Sequence, residues 1–141
     1  MRLIETNKLF HMLYQKTRHM TKEVNEYLQK HGLYSSQWSI LYCLKSNGPM
    51  TQSDIWRYLN VEAPTVTRTL VKLEESGWII RTTGSDKRER LVSLTEKAFE
   101  LLPLVDQDVK NFEQNMVAGL TDDEQEQLYA LLKKLGTSNE G

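Results

Sequence analysis

Residues 63–77 read Ala63-Pro64-Thr65-Val66-Thr67-Arg68-Thr69-Leu70-Val71-Lys72-Leu73-Glu74-Glu75-Ser76-Gly77. Val66, Leu70 and Leu73 recur at helical spacing. Proline stands where a first turn tolerates it and glycine follows the last periodic residue, so the stretch predicts a helix with one apolar face. Thr65, Thr67, Arg68 and Lys72 fall largely on its other faces. Upstream, Thr51-Gln52-Ser53-Asp54 has the pattern of a helix start. The Thr51 hydroxyl can accept from the third amide, and Asp54 can reach back to the first N–H. That helix turns Ile55 and Leu59 inward and stops near Asn60, leaving a tight turn before Ala63. Downstream the period changes. Trp78-Ile79-Ile80-Arg81 and Arg90-Leu91-Val92-Ser93-Leu94 are short β-prone runs about a polar, mostly basic tip, which predicts a hairpin. Two short helices, a tight turn and a two-stranded wing make a winged helix–turn–helix.

On the N-terminal side, Leu9, Leu13, Met20, Val24, Tyr27 and Leu28 set one long helix over roughly residues 4–30, closed by His31-Gly32. Ser35 or Ser36 is expected to cap a second helix bearing Trp38, Ile40, Leu41 and Leu44 and ending at Asn47-Gly48-Pro49. Thr95 can cap a helix with Ala98, Leu101, Leu102, Val105, Val109, Phe112 and Met116 on one stripe. Pro103 inside that stripe predicts a kink or a broken first turn. Thr121-Asp122-Asp123-Glu124 opens a last helix with Leu128, Leu131, Leu132 and Leu135 in register. The fold expected is mainly α with a small β-hairpin wing. The terminal helices carry more apolar stripe than the central unit can cover, so a second copy of the chain is expected to cover the excess.

At 141 residues the chain holds one domain of ordinary size. Its composition, 39% hydrophobic and 26% charged, is that of a globular protein. No apolar run approaches the roughly 18 residues of a membrane helix. The first residues lack a signal-peptide pattern and Cys43 is the single cysteine, so a cytoplasmic protein without a disulfide or cysteine-rich zinc site is expected. The net charge of −1 hides an asymmetry. Residues 96–141 carry ten Asp/Glu against four Lys/Arg, whereas residues 57–95 carry seven Lys/Arg against five Asp/Glu. The overall pI is therefore a poor guide to the local field.

A recognition helix of this kind suits the major groove, with Ala63, Pro64 and Thr65 small enough for close approach and Thr67, Arg68 and Lys72 able to donate to bases or phosphates. Glu62 opposes this, since a carboxylate at the helix start repels phosphate. The hairpin tip, Asp86-Lys87-Arg88-Glu89-Arg90 running into Leu91-Val92-Ser93-Leu94-Thr95, resembles the wing of the MarR family of bacterial transcription regulators, in which D-x-R precedes a short strand ending L-T. Gly77-Trp78-Ile79-Ile80-Arg81, Pro64-Thr65-Val66-Thr67-Arg68 and Gln37-Trp38-Ser39-Ile40-Leu41 are similar to that family's preceding strand, recognition-helix core and second helix. The resemblance spans essentially the whole chain. It implies one MarR-type domain over residues 1–141, with a DNA-binding lobe over about 33–95 and dimerisation helices over about 1–32 and 96–141. It implies a homodimer on a pseudo-palindromic operator, with Arg88 in the minor groove, Asp86 supporting it, and Lys87 and Arg90 beside it. Narrow A·T minor grooves attract such an arginine. Glu62 stands where the family often has a serine-like cap.

The function expected is a sequence-specific regulator, a repressor released by a small ligand or stress signal. His11, Tyr14, Tyr34, Trp38 and Tyr42 are candidates for an effector pocket. Two alternatives are a winged-helix interaction module without DNA binding and a redox-responsive regulator using Cys43. The chain shows no phosphate loop, H-E-x-x-H or G-x-S-x-G, so neither an enzyme nor a cofactor is expected, and His11, His19 and His31 lack metal-ligand spacing.

Overall fold

The computed structural model describes residues 3–83 and 90–137. Helix α1 (Thr6–Leu28) passes through a 3-10 turn (Gln29–His31) to α2 (Ser35–Asn47). Strand β1 (Met50–Thr51), α3 (Gln52–Leu59) and α4 (Ala63–Glu75) follow, then β2 (Ile79–Thr83), β3 (Arg90–Leu94), α5 (Glu96–Met116) and α6 (Asp122–Lys134). None of the described helices is long and apolar enough to cross a membrane.

The expected helix starts at Thr51, Thr95 and Thr121 are all present. Their hydroxyls accept from the amides of Asp54, Ala98 and Glu124, each satisfying one N–H that a helix start otherwise leaves unpaired. Asn60 ends α3 in the left-handed region at φ 55°, a conformation that asparagine tolerates better than most residues. Gly77 at φ 84° turns α4 into β2, and Trp78 N–H reaches back to the Leu73 carbonyl at 2.9 Å.

Three expectations need correction. Ser35 and Ser36 do not cap α2: Ser35 is already its first helical residue. Tyr34 N–H instead donates to Gln37 Oε1 at 2.9 Å, and Ser35 N–H donates to Asn25 Oδ1 of α1 at 2.7 Å. The wing is not an isolated hairpin. Its sheet has three antiparallel strands in the order β1-β3-β2, with Met50 opposite Val92 and Thr51 opposite Leu91. Helix α5 continues through Pro103 without a broken first turn, the second of the two outcomes expected there. A proline there costs one backbone hydrogen bond and about 3 kcal/mol. Burial of Ala98, Leu102, Val105 and Val109 on either side outweighs that loss.

One core runs through the lobe and into the base. It joins Leu41 and Leu44 of α2, Leu70 and Leu73 of α4, Val92 of β3 and Val105 of α5, each at most 2% exposed. Polar fastenings lie at its margin. Asp108 of α5 meets His31 Nε2 at 2.6 Å and Lys30 Nζ at 3.1 Å. Asp106 meets Lys45 of α2 at 3.4 Å and Lys110 at 3.1 Å. Burial pushes the Asp106 carboxyl up, but the bonds from Lys110 and Lys45 outweigh this and hold it low.

Asp108 is held below the ordinary carboxylate value by its hydrogen bonds to His31 and then Lys30. A depressed folded value means that the carboxylate's contribution to stability is complete above the unfolded value of about 3.9 and is lost as pH falls through the folded one. We expect the urea midpoint to fall on acidification below about pH 4 and Asp108→Asn to flatten that fall. Identical pH slopes for the two chains would contradict the assignment.

Candidate nucleic-acid interface

Helix α4 divides cleanly into two faces. Val66, Leu70 and Leu73 are at most 2% exposed, whereas Ala63, Pro64, Thr67, Arg68 and Lys72 are exposed and Thr65 is half-buried. The expected outward set is therefore free to meet a partner. Pro64 lies in the first turn, where its missing N–H costs nothing. Glu62 is the N-cap residue but makes no side-chain capping bond, so its charge is not needed to start the helix. In front of this end lies a cleft of about 560 Å³ lined by Trp56, Arg57, Asn60, Val61, Glu62, Ala63 and Pro64. Arg57 sits 5.1 Å above the Trp56 ring, a cation–π contact that gives this basic side chain a fixed seat at the turn.

On the flank of α4, a cavity of about 170 Å³ is lined by Tyr34, Ser36 and Gln37 from α2 and its approach, and by Thr65, Arg68, Thr69 and Lys72. Arg68 Nη2 donates to Thr65 Oγ1 at 3.4 Å. Arg68 and Lys72 bring two cations to this cavity.

Behind α4 runs a network that sequence reasoning missed. Arg81 of β2 donates from Nε and Nη2 to the Glu74 carboxylate at 3.2 and 3.0 Å, and from Nη1 to Gln52 Oε1 at 3.4 Å. Gln52 Nε2 donates to Thr67 Oγ1 at 3.5 Å, and Thr67 donates to the Ala63 carbonyl at 3.0 Å. Glu74 is held below its ordinary value chiefly by its hydrogen bond to Arg81. One signal was legible: Ile79 and Arg81 share the inward face of β2 by strand alternation, and an arginine turned inward needs a partner.

Arg90 opens β3 opposite Thr83 and is exposed. Asp86, Lys87 and Arg88 lie outside the described residues.

The five candidate effector residues are only partly brought together. Trp38 and Tyr42 tilt against each other with ring centroids 6.3 Å apart. Tyr14 meets Phe10, and both Tyr14 and His11 lie on the exposed surface of α1. The cavity that Tyr34 lines includes none of the other four.

Cys43 is fully buried with its Sγ 3.1 Å from Met50 Sδ, and burial pushes its thiol up against the lowering effect of Asn47. A neutral, inaccessible thiol is a poor nucleophile. We expect a disulfide reagent to modify Cys43 only as fast as the lobe opens, with Cys43→Ser keeping the wild-type response to peroxide. Rapid modification of the folded chain would contradict this. Among the described residues there is no cluster of three His, Cys, Asp or Glu side chains able to hold a metal ion.

Residues 33–89 match the MarR family. The HTH-type transcriptional regulator YwoH of Bacillus subtilis is 51% identical over 118 residues, covering 84% of this chain and 86% of its own. A cysteine-to-serine variant of Escherichia coli MarR, solved with operator DNA, superposes with a TM-score of 0.87 at 27% identity, covering 92% of this chain and 94% of that one. The same variant without DNA gives 0.75 at 28% identity, covering 96% and 98%.

Proposed function

Because this chain belongs to the MarR family and is a helix–turn–helix transcriptional regulator, we propose that it works as a homodimer on a pseudo-palindromic operator, with α4 of each lobe in the major groove. In this reading Ala63, Pro64 and Thr65 allow close approach, Thr67 and Arg68 meet base edges, and Lys72 meets the backbone. Lys87, Arg88 and Arg90 form the wing contact, with Asp86 as support, on the strength of the sequence resemblance. The observation that carries the proposal is the two-sidedness of α4, which buries Val66, Leu70 and Leu73 in the core while Arg68 and Lys72 stay exposed.

The dimer is assigned to a second unpaired surface. Leu9 and Leu13 of α1 and Leu128, Leu131, Leu132 and Leu135 of α6 line a groove of about 390 Å³. No residue of α6 is buried within the single chain. The protein acts by binding rather than by catalysis, in the cytoplasm, as a repressor. A small ligand would release it by favouring a lobe spacing that does not fit the operator, which requires different affinities for the two states. Of the five residues His11, Tyr14, Tyr34, Trp38 and Tyr42, the adjoining pair Trp38 and Tyr42 is the part of the expected pocket proposed to meet that ligand.

The test is selection from a random duplex library followed by salt titration of the selected site. Half-sites about one helical turn apart are expected. If each subunit neutralises three or four phosphates, log K against log salt has a slope of about −5 to −7. Equal affinity for all duplexes at physiological salt, or binding insensitive to salt, would overturn the proposal and favour an interaction module.

A further inference from the structure

We propose that Gln52 and Arg81 are positioning residues for base reading. They hold Thr67 with its hydroxyl proton turned away from the groove, so that the operator excludes guanine at the base under Thr67. The inference rests on the reading of α4 as the recognition helix.

The orientation of Thr67 follows from the direction of the hydrogen bonds. An arginine can only donate. Arg81 is anchored by two bonds to Glu74 at 3.0 and 3.2 Å, and its third donor, Nη1, reaches Gln52 Oε1. The amide of Gln52 is thereby oriented, oxygen toward Arg81 and nitrogen toward Thr67, with no freedom to exchange the two. Thr67 Oγ1 then receives a proton from Gln52 Nε2 and gives its own to the Ala63 carbonyl at 3.0 Å. At 3.4 and 3.5 Å the links on either side of Gln52 are long. They contribute little energy, and what they set is orientation.

Thr67 is exposed on α4. With its proton committed to the helix, it can offer a base only a lone pair and its methyl group. Thymine presents a methyl in the major groove, and adenine and cytosine present amino donors there. Guanine presents only the N7 and O6 acceptors. An acceptor facing two acceptors is repulsive, so guanine is the base this arrangement rejects. Arg81 and Gln52 touch no base themselves and act through Thr67.

The experiment is duplex selection with the wild-type chain and with Thr67→Ala, Gln52→Leu and Gln52→Glu. The position whose preference changes in Thr67→Ala identifies the base under residue 67. For wild type we expect guanine to be disfavoured there by about tenfold per half-site, the size of one good discriminating contact. Gln52→Leu removes the donor that occupies one Thr67 lone pair and leaves the Ala63 bond as the sole restraint on the hydroxyl, and guanine becomes tolerated at that position alone while the rest of the profile stands. Gln52→Glu, which can accept from both Arg81 and Thr67, keeps the Thr67 proton turned from the groove and is expected to retain the discrimination that Gln52→Leu loses. A purely structural role would lower affinity for every duplex equally and leave the profile unchanged, and that result overturns the inference. So does guanine accepted under Thr67 by a wild-type chain that selects a specific site, in which case the regulatory reading survives. A wild-type chain that selects no site overturns both together.

Discussion

A chain carrying Leu128→Asp and Leu132→Asp is expected to sediment as a folded monomer and to bind its operator about 10²- to 10⁴-fold more weakly than the wild type. The two leucines lie one helical turn apart on α6 and line the same apolar groove, and within one chain they are 43% and 47% exposed. Two carboxylates placed there would have to be desolvated in a dimer, at a cost that apolar packing cannot offset. The single chain has little to lose, since α6 buries none of its residues against the rest of the fold. The loss in binding comes from uncoupling the lobes. When the lobes are joined, the first contact raises the effective concentration of the second, and a monomer forfeits that gain. The decisive comparison is sedimentation and circular dichroism beside operator affinity. A variant that stays dimeric with full affinity would place the interface elsewhere.

The second large effect is expected inside the lobe. Leu70 is fully buried at the middle of α4, between the core residues Val66 and Leu73. Leu70→Ala should cost about 2–5 kcal/mol, from lost burial and from the cavity left behind. A domain of this size has only about 5–15 kcal/mol in total. Val71, the next residue on the same helix, is 38% exposed, and Val71→Ala should move stability by no more than about 0.5 kcal/mol. Urea unfolding of the two variants reads the contrast. Equal losses would mean that α4 is not seated as described.

The elements that were legible in the sequence are those whose cause is local. Thr51, Thr95 and Thr121 start helices because a hydroxyl three residues before an amide can satisfy it wherever the chain goes next. The apolar stripe of α4 identified its buried face residue by residue. What was missed depends on contacts distant in sequence. Nothing around Met50 announces a strand, because its partner Val92 comes 42 residues later. Ser35 looks like a cap and is not one, because Asn25 of α1 and the side chain of Gln37 supply the acceptors. Pro103 reads as a break until Leu102 and Val105 are seen to be buried beside it. The same division holds at the candidate interface. The outward residues of α4 follow from helical period alone, whereas the relay from Arg81 through Gln52 to Thr67 joins β2, α3 and α4 and has no local signature beyond an inward-facing arginine.

The junction at Thr51 has a practical meaning for grafting. That one residue is the last of β1, paired with Leu91 of the wing, and also the cap that starts α3. No spacer separates strand from helix, so an insertion there would break the cap or the pairing, whichever side it fell on. The wing and the helix–turn–helix are thus not interchangeable cassettes. A chimera that takes the wing of one relative and the recognition helix of another must cut before Met50 and after Leu94, and carry everything between as a single piece.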